Sequence, residues 1–124
     1  MFWVFCCTKI LNFDHILLKY LKIRLEMKNY IKAMMEEAHI NGSPVIRTMF
    51  YEFPEDEQCW NLTEQYMFGS KYLVAHVLYE GHRKKEVYLP KGIWRSLEDG
   101  VICEGKQTIT VETPLDVIPV FEKM

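Results

Sequence analysis

Apolar residues recur every three or four positions between about His15 and Ile40, at Leu17, Tyr20, Leu21, Met27, Ile31, Met34, Met35 and Ala38, with lysine, arginine and glutamate between them. That period belongs to an amphipathic helix, and its length predicts one long helix whose methionines face a core. Asp14 is a suitable N-cap. Asn41-Gly42 followed by Pro44 is a stop signal, because glycine accepts the left-handed conformation at a helix end and proline cannot extend a helix. Beyond the stop, Val45-Ile46-Arg47-Thr48-Met49-Phe50-Tyr51 is nearly continuous in apolar character. The run predicts a strand covered on both faces, as in an αβ unit that contributes to a parallel sheet.

The pattern changes again at the acidic, proline-containing loop Glu52-Phe53-Pro54-Glu55-Asp56-Glu57. Short runs of strand-forming residues follow, near Tyr66–Phe68, Tyr72–Leu78, Lys85–Leu89, Gly92–Arg95, Val101–Cys103, Gln107–Glu112 and Ile118–Phe121. Between them Gly81, Gly92, Gly100 and Gly105 each stand in a turn, as a residue able to take a positive φ. Strands this short and this closely spaced predict an antiparallel β-sandwich. The expected fold class is therefore α+β: a long N-terminal helix and one buried-type strand, then the sandwich. The expected organisation is an apolar N-terminal tail over 1–13, a helix-strand unit over 14–57 and the sandwich over 58–124.

Composition narrows the function classes. With 124 residues, 49% hydrophobic and 26% charged, the chain has the balance of one soluble domain, and a complete (β/α)₈ barrel of roughly 250 residues does not fit. A net charge of -2 supplies no field to attract nucleic acid or an anionic membrane surface, so neither is expected as a partner. The cysteines Cys6, Cys7, Cys59 and Cys103 include no C-x-x-C pair and read as reduced thiols of a cytoplasmic protein. Met1 to Cys7 is apolar but has no preceding basic residue and no small-residue cleavage pattern, which makes it a poor signal peptide. In that setting the sequon Asn61-Leu62-Thr63 is expected to stay unmodified.

No glycine-rich phosphate loop, G-x-S-x-G, or H-E-x-x-H occurs, and His15, His39, His76 and His82 lack metal-ligand spacing. His76, in an apolar run, reads as a satisfied structural histidine. The one constellation that invites catalysis is Glu52, Glu55, Asp56 and Glu57 directly after the buried-type strand, where barrel enzymes place working carboxylates. Acidic residues around a proline are more simply solvated turn residues, and that reading is preferred. Trp60, Tyr66, Phe68, Tyr72, Tyr79, Tyr88 and Trp94 could stack on pyranose rings, yet aromatics at alternating strand positions are first of all sandwich core. No catalytic, substrate-binding, cofactor or metal residue is assigned.

The run Ala38-His39-Ile40-Asn41-Gly42-Ser43-Pro44-Val45-Ile46-Arg47-Thr48-Met49-Phe50-Tyr51-Glu52-Phe53-Pro54-Glu55-Asp56 resembles the closing segment of the catalytic barrel in glycoside hydrolase family 31, the α-glucosidase and α-xylosidase family. Gln65-Tyr66-Met67-Phe68-Gly69, Tyr72-Leu73-Val74-Ala75, Glu86-Val87-Tyr88-Leu89-Pro90, Gly92-Ile93-Trp94 and Pro114-Leu115-Asp116-Val117-Ile118-Pro119-Val120-Phe121 resemble the β-sandwich domain that follows it. The E-F-P-E-D and Y-L-V-A-x-V-L-Y forms look most like the bacterial α-xylosidase branch. Ser70, His76 and Asn61 depart from the family's Pro, Pro and Asp.

The resemblance implies a retaining glycosidase whose two catalytic aspartates lie on earlier barrel strands than the one represented here, with Glu52 and Asp56 at non-catalytic positions. The helix and buried-type strand would then be the remnant of a barrel, and the chain the C-terminal portion of an α-xylosidase- or α-glucosidase-like enzyme. It would hydrolyse O-glycosyl bonds only with the barrel part as partner, carbohydrate being a substrate in that context alone. Self-association through uncovered apolar faces is a further expectation. The alternative is a non-catalytic sandwich module that binds sugar or a protein partner.

Overall fold

The computed structural model describes residues 2–124, with side chains from Asp14 onward. The chain divides into two compact units, Met1–Ser43 and Pro44–Met124. The first is helical. Helix α1 (Phe2–Glu26) and helix α2 (Lys28–Asn41) are separated at Met27, whose ψ of 0° breaks the regular geometry while its N–H still reaches Ile23 O at 3.0 Å. The single helix expected from the periodicity is thus two, and Asp14 lies inside α1 instead of capping it. Neither glycine nor proline marks the break, so the apolar period runs through it unaltered. The stop comes where expected: Gly42 takes φ 76° and its N–H closes the end on Ala38 O at 3.0 Å.

The methionines of this unit do not form a core. No residue of α2 is buried, Met35 is 62% and Ile40 82% exposed, and Leu17, Leu18, Leu21 and Leu25 of α1 are exposed as well. Among the described residues no helix is long and apolar enough to cross a membrane.

Among the described residues, every strand lies in the second unit. Strands β1 (Ile46–Arg47), β2 (Gln65–Phe68), β3 (Tyr72–Ala75), β8 (Val120–Lys123), β5 (Ile93–Ser96) and β6 (Ile102–Glu104) form a six-stranded antiparallel sheet in that spatial order, and β4 (Lys84–Leu89) pairs with β7 (Gln107–Glu112) in a separate two-stranded sheet. The α+β class and the antiparallel sandwich hold. The expected buried-type strand over Val45 to Tyr51 is corrected: only Ile46 and Arg47 are extended, they pair antiparallel with Phe68 and Met67, and Ile46 is exposed. After Thr48 the chain turns into the short helix α3 (Met49–Glu52), which sinks Met49 fully into the core. Strand propensity in this run gives way to the burial of one methionine.

Alternation sets the core. Met67, Leu73, Ala75, Val87, Leu89, Trp94 and Phe121 are fully or almost fully buried, and Met67 opposes Leu73, which in turn opposes Phe121 across three neighbouring strands. Trp94 is completely enclosed and donates its indole N–H to Pro90 O at 2.8 Å, so the largest core side chain has no unmet polar group. The connection Pro90–Gly92 is locked against the turn at Gly105. A side chain at Gly105 would put its Cβ 2.0 Å from Pro90 O, so glycine is required there by close approach. The turn stands where the sequence places it, between Glu104 and Gln107, but the φ of Gly105 is not positive and Lys106 takes the positive φ of 58°.

Glu122 sits in the middle of the large sheet, 8% exposed, between Lys71 at 2.6 Å and Arg95, which stands opposite it on β5. Those two cations hold its carboxyl below the usual carboxylate range, Lys71 first. Because the folded-state value is lowered, the stabilisation is complete above the ordinary value of 4.5 and is lost as the pH falls through the lowered one. Glu122→Gln is therefore expected to lower the urea midpoint near neutral pH, by an amount that shrinks as the pH falls below 4.5. A loss that stays constant as the pH is lowered, read by denaturant titration, would assign the effect to packing instead of charge.

Candidate functional site

The acidic loop forms one wall of an open groove of about 750 Å³. Residues Glu52 to Gln58 face Tyr88, Lys91, Lys106 and Lys123 across it. The groove gathers four carboxylates and three ammonium groups, so its charges are mixed. What the carboxylates can do depends on what already holds them.

Glu52, at the end of α3, pairs at 3.0 Å with Arg47, whose guanidinium is 5% exposed and also donates from Nε to Pro44 O at 2.8 Å. The pair fixes α3 to β1, and removing either member would leave a charge in a poorly hydrated place. Asp56 uses both oxygens. Oδ1 accepts the N–H of Gln58 at 3.1 Å and so caps the 3-10 turn Glu57–Asn61, while Oδ2 accepts the Tyr88 hydroxyl at 2.7 Å. Glu55 and Glu57 line the groove and are exposed. Of the four carboxylates weighed from the sequence, two are therefore structural ties, half-buried and held by protein groups instead of standing as solvated turn residues.

Tyr88 is the hub of this region. Burial, followed by the bond to Asp56, pushes its phenol up to about 12. Cys59, fully buried behind the same carboxylate, is likewise pushed up to about 12, mainly by burial, which makes it an inert thiol. The backbone of Tyr88 is held from the other side. Strand β4 turns the peptide groups of alternate residues toward β7, as the bonds Thr113 N to Arg83 O and Lys106 N to Leu89 O show. Those of Tyr88 point to the edge without a strand partner. There Gln65 of β2 supplies its primary amide: Nε2 donates to Tyr88 O at 2.7 Å and Oε1 accepts Tyr88 N–H at 3.1 Å. One side chain of the large sheet imitates a peptide group of a third strand beside the small one. Sequence reasoning did not single out Gln65; the only signal was a polar residue in phase with the inward positions Met67, Leu73 and Ala75.

The aromatics divide. Trp94 and Tyr88 are core, and Tyr66, Phe68 and Tyr72 are half-buried. Trp60 and Tyr79 are exposed, contrary to the core reading. Trp60 stacks on Phe50 with ring centroids 5.1 Å apart and planes 12° from parallel, and Tyr79 lies 5.4 Å from the His82 ring. His76 packs 5.7 Å from the Tyr66 ring, but its buried Nδ1 has no hydrogen-bond partner among the described residues, so the expectation of a satisfied histidine is corrected. Among the described residues no group of three or more His, Cys, Asp or Glu could hold a metal ion.

Comparison with known proteins decides the family. Residues 42–124 match the Glycosyl hydrolase family 31 C-terminal domain. The chain belongs to glycoside hydrolase family 31. It is 31% identical over 90% of its length to Alpha-glucosidase 2 of Bacillus thermoamyloliquefaciens and 32% identical over 89% to an Alpha-xylosidase of Saccharolobus solfataricus. Among solved structures, a GH31 alpha-xylosidase from a soil metagenome complexed with xylose superposes with a TM-score of 0.81 at 39% identity over 83% of the chain. A cycloalternan-degrading enzyme from Trueperella pyogenes gives 0.80 at 30% identity over 85%. The chain spans only 14% and 15% of the two curated relatives and 15% and 14% of the two solved chains.

Within this family 31 domain, the Gln65 to Tyr88 clip ties the two sheets together and Asp56 ties the groove loop to them. Gln65→Leu leaves the Tyr88 N–H and C=O buried and unpaired, which is expected to destabilise the domain by about 2–4 kcal/mol. Tyr88→Phe, which removes only the hydroxyl bond, should cost about 1 kcal/mol. Equal denaturant midpoints for the two variants would contradict the clip.

Proposed function

We propose that this chain serves as the sandwich domain of a retaining α-glycosidase acting on α-xylosides or α-glucosides, and that O-glycosyl hydrolysis requires a family 31 catalytic barrel beside it. The observation that carries the proposal is the engagement of Glu52 with Arg47 and of Asp56 with Tyr88 and Gln58. A retaining mechanism needs two carboxyl groups about 5 Å apart on either side of one anomeric carbon, one to attack and one to move protons. Carboxylates already spent on an arginine, a tyrosine and a helix cap do not have that freedom. The relatives' names include a glucosidase and a xylosidase, which supports both sugars as candidates. The free thiols Cys59 and Cys103 support a cytoplasmic setting.

A second reading, a non-catalytic module that binds sugar or a protein partner, is favoured by the exposed Phe50 and Trp60 rings. Assay of the purified chain on aryl α-xyloside and aryl α-glucoside separates the readings from an autonomous enzyme. No hydrolysis is expected. Turnover at rates usual for an enzyme, about 1 s⁻¹ or more, abolished by Glu52→Ala or Asp56→Ala, would overturn the proposal and make the loop carboxylates catalytic.

A further inference from the structure

We propose that Asn41-Gly42, at the end of α2, is a self-modification site: the asparagine closes on the following peptide nitrogen as a cyclic imide and reopens as isoaspartate or aspartate, at a rate set by the helix cap. The site is independent of the glycosidase role proposed above. Asn41 and Gly42 are both exposed, and nothing lies within 4 Å of the position a Cβ would take at Gly42. Water and base therefore reach the linkage, and no side chain on the second residue hinders ring closure.

Two hydrogen bonds place the reacting groups. Asn41 Oδ1 accepts the N–H of Ser43 at 3.0 Å, which folds the side chain back over the linkage and brings its carbonyl carbon toward the Gly42 nitrogen. The same bond favours the negative charge that Oδ1 acquires as the ring closes. Against it, the Gly42 N–H donates to Ala38 O at 3.0 Å and so stays committed to the helix. One contact presents the electrophile and the other withholds the nucleophile. Reaction waits on the opening of the cap, and α2 resists that opening weakly because none of its residues is buried.

The step balances without a cofactor. The Gly42 nitrogen loses its proton and bonds to Asn41 Cγ, the Cγ–Nδ2 bond breaks, and ammonia departs with the proton. Water then adds to one of the two imide carbonyls, giving aspartate from one opening and isoaspartate from the other. Either product puts a carboxylate at the negative end of the helix dipole, where it weakens the last turn. Asn12, Asn29 and Asn61 are followed by Phe13, Tyr30 and Leu62, and a bulky following residue hinders the same closure.

The test is incubation of the chain at mildly alkaline pH, folded and in concentrated urea, with deamidation read by peptide mass spectrometry and isoaspartate by enzymatic methyl labelling. The proposal expects Asn41 to convert ahead of the other three asparagines, with isoaspartate accompanying aspartate. Because the cap is a single hydrogen bond, the folded chain should react about three- to tenfold more slowly than the unfolded one. Ala38→Gly, which weakens the last turn and keeps the carbonyl acceptor, should speed the folded chain about threefold or more and leave the rate in urea unchanged. Asn41→Gln should abolish the modification at this position. Asn41 converting no faster than Asn61, or aspartate forming without isoaspartate, would overturn the site. Equal rates in the folded and unfolded chain, or a folded rate unmoved by Ala38→Gly, would overturn control by the cap.

Discussion

A two-stranded sheet has two edges and no third strand, and β4 meets that difficulty with a side chain. The Gln65 amide donates to and accepts from the backbone of Tyr88, so the N–H and C=O on the free edge are satisfied inside the core. Everything near the groove depends on this. With Tyr88 held by its backbone, its hydroxyl lies where Asp56 can accept it, and Asp56 in turn organises the 3-10 turn that carries Cys59 into the core and presents Trp60 to solvent. The chain of contacts runs from the large sheet through the small one to the loop, with a named hydrogen bond at each step.

The two units differ in how they satisfy their apolar residues. The sandwich encloses Trp94, Phe121, Met67 and Leu73 between its sheets, whereas the helices leave leucines, Met35 and Ile40 in water. At about 25 cal/mol per Å², each large side chain left exposed forfeits roughly 1.5–3 kcal/mol that burial would provide. Helical structure of this length draws most of its stability from packing of its apolar face. The chain matches between 4% and 15% of the length of the curated relatives named Probable maltase-glucoamylase 2 and Alpha-xylosidase.

The sandwich was legible because alternation and turn glycines report directly on strands, and each of the expected strands lies within a few residues of an observed one. The family was legible from runs such as Tyr66 to Gly69 and Val87 to Pro90. Less was visible where tertiary contacts override local preference. Val45 to Tyr51 has the composition of a strand, but Met49 is needed in the core and the chain coils to place it. Met27 interrupts the helix without any residue that marks a break. Gly105 is the turn residue expected, but glycine is needed there for close contact, which depends on where Pro90 and Gly92 lie in space. Gln65 resembled any polar strand residue, since its partner is 23 positions away.

Amide hydrogen exchange at Tyr88 tests the central claim most directly. Its N–H lies on the edge of β4 that has no strand partner, and the acceptor that holds it among the described residues is the Gln65 carbonyl. In the native chain Tyr88 should exchange as slowly as Val87 and Leu89, whose peptide groups face β7, and in Gln65→Leu it should exchange at least about a hundredfold faster than they do. A Tyr88 amide that exchanges rapidly in the native chain, or is unaffected by the substitution, would contradict the account.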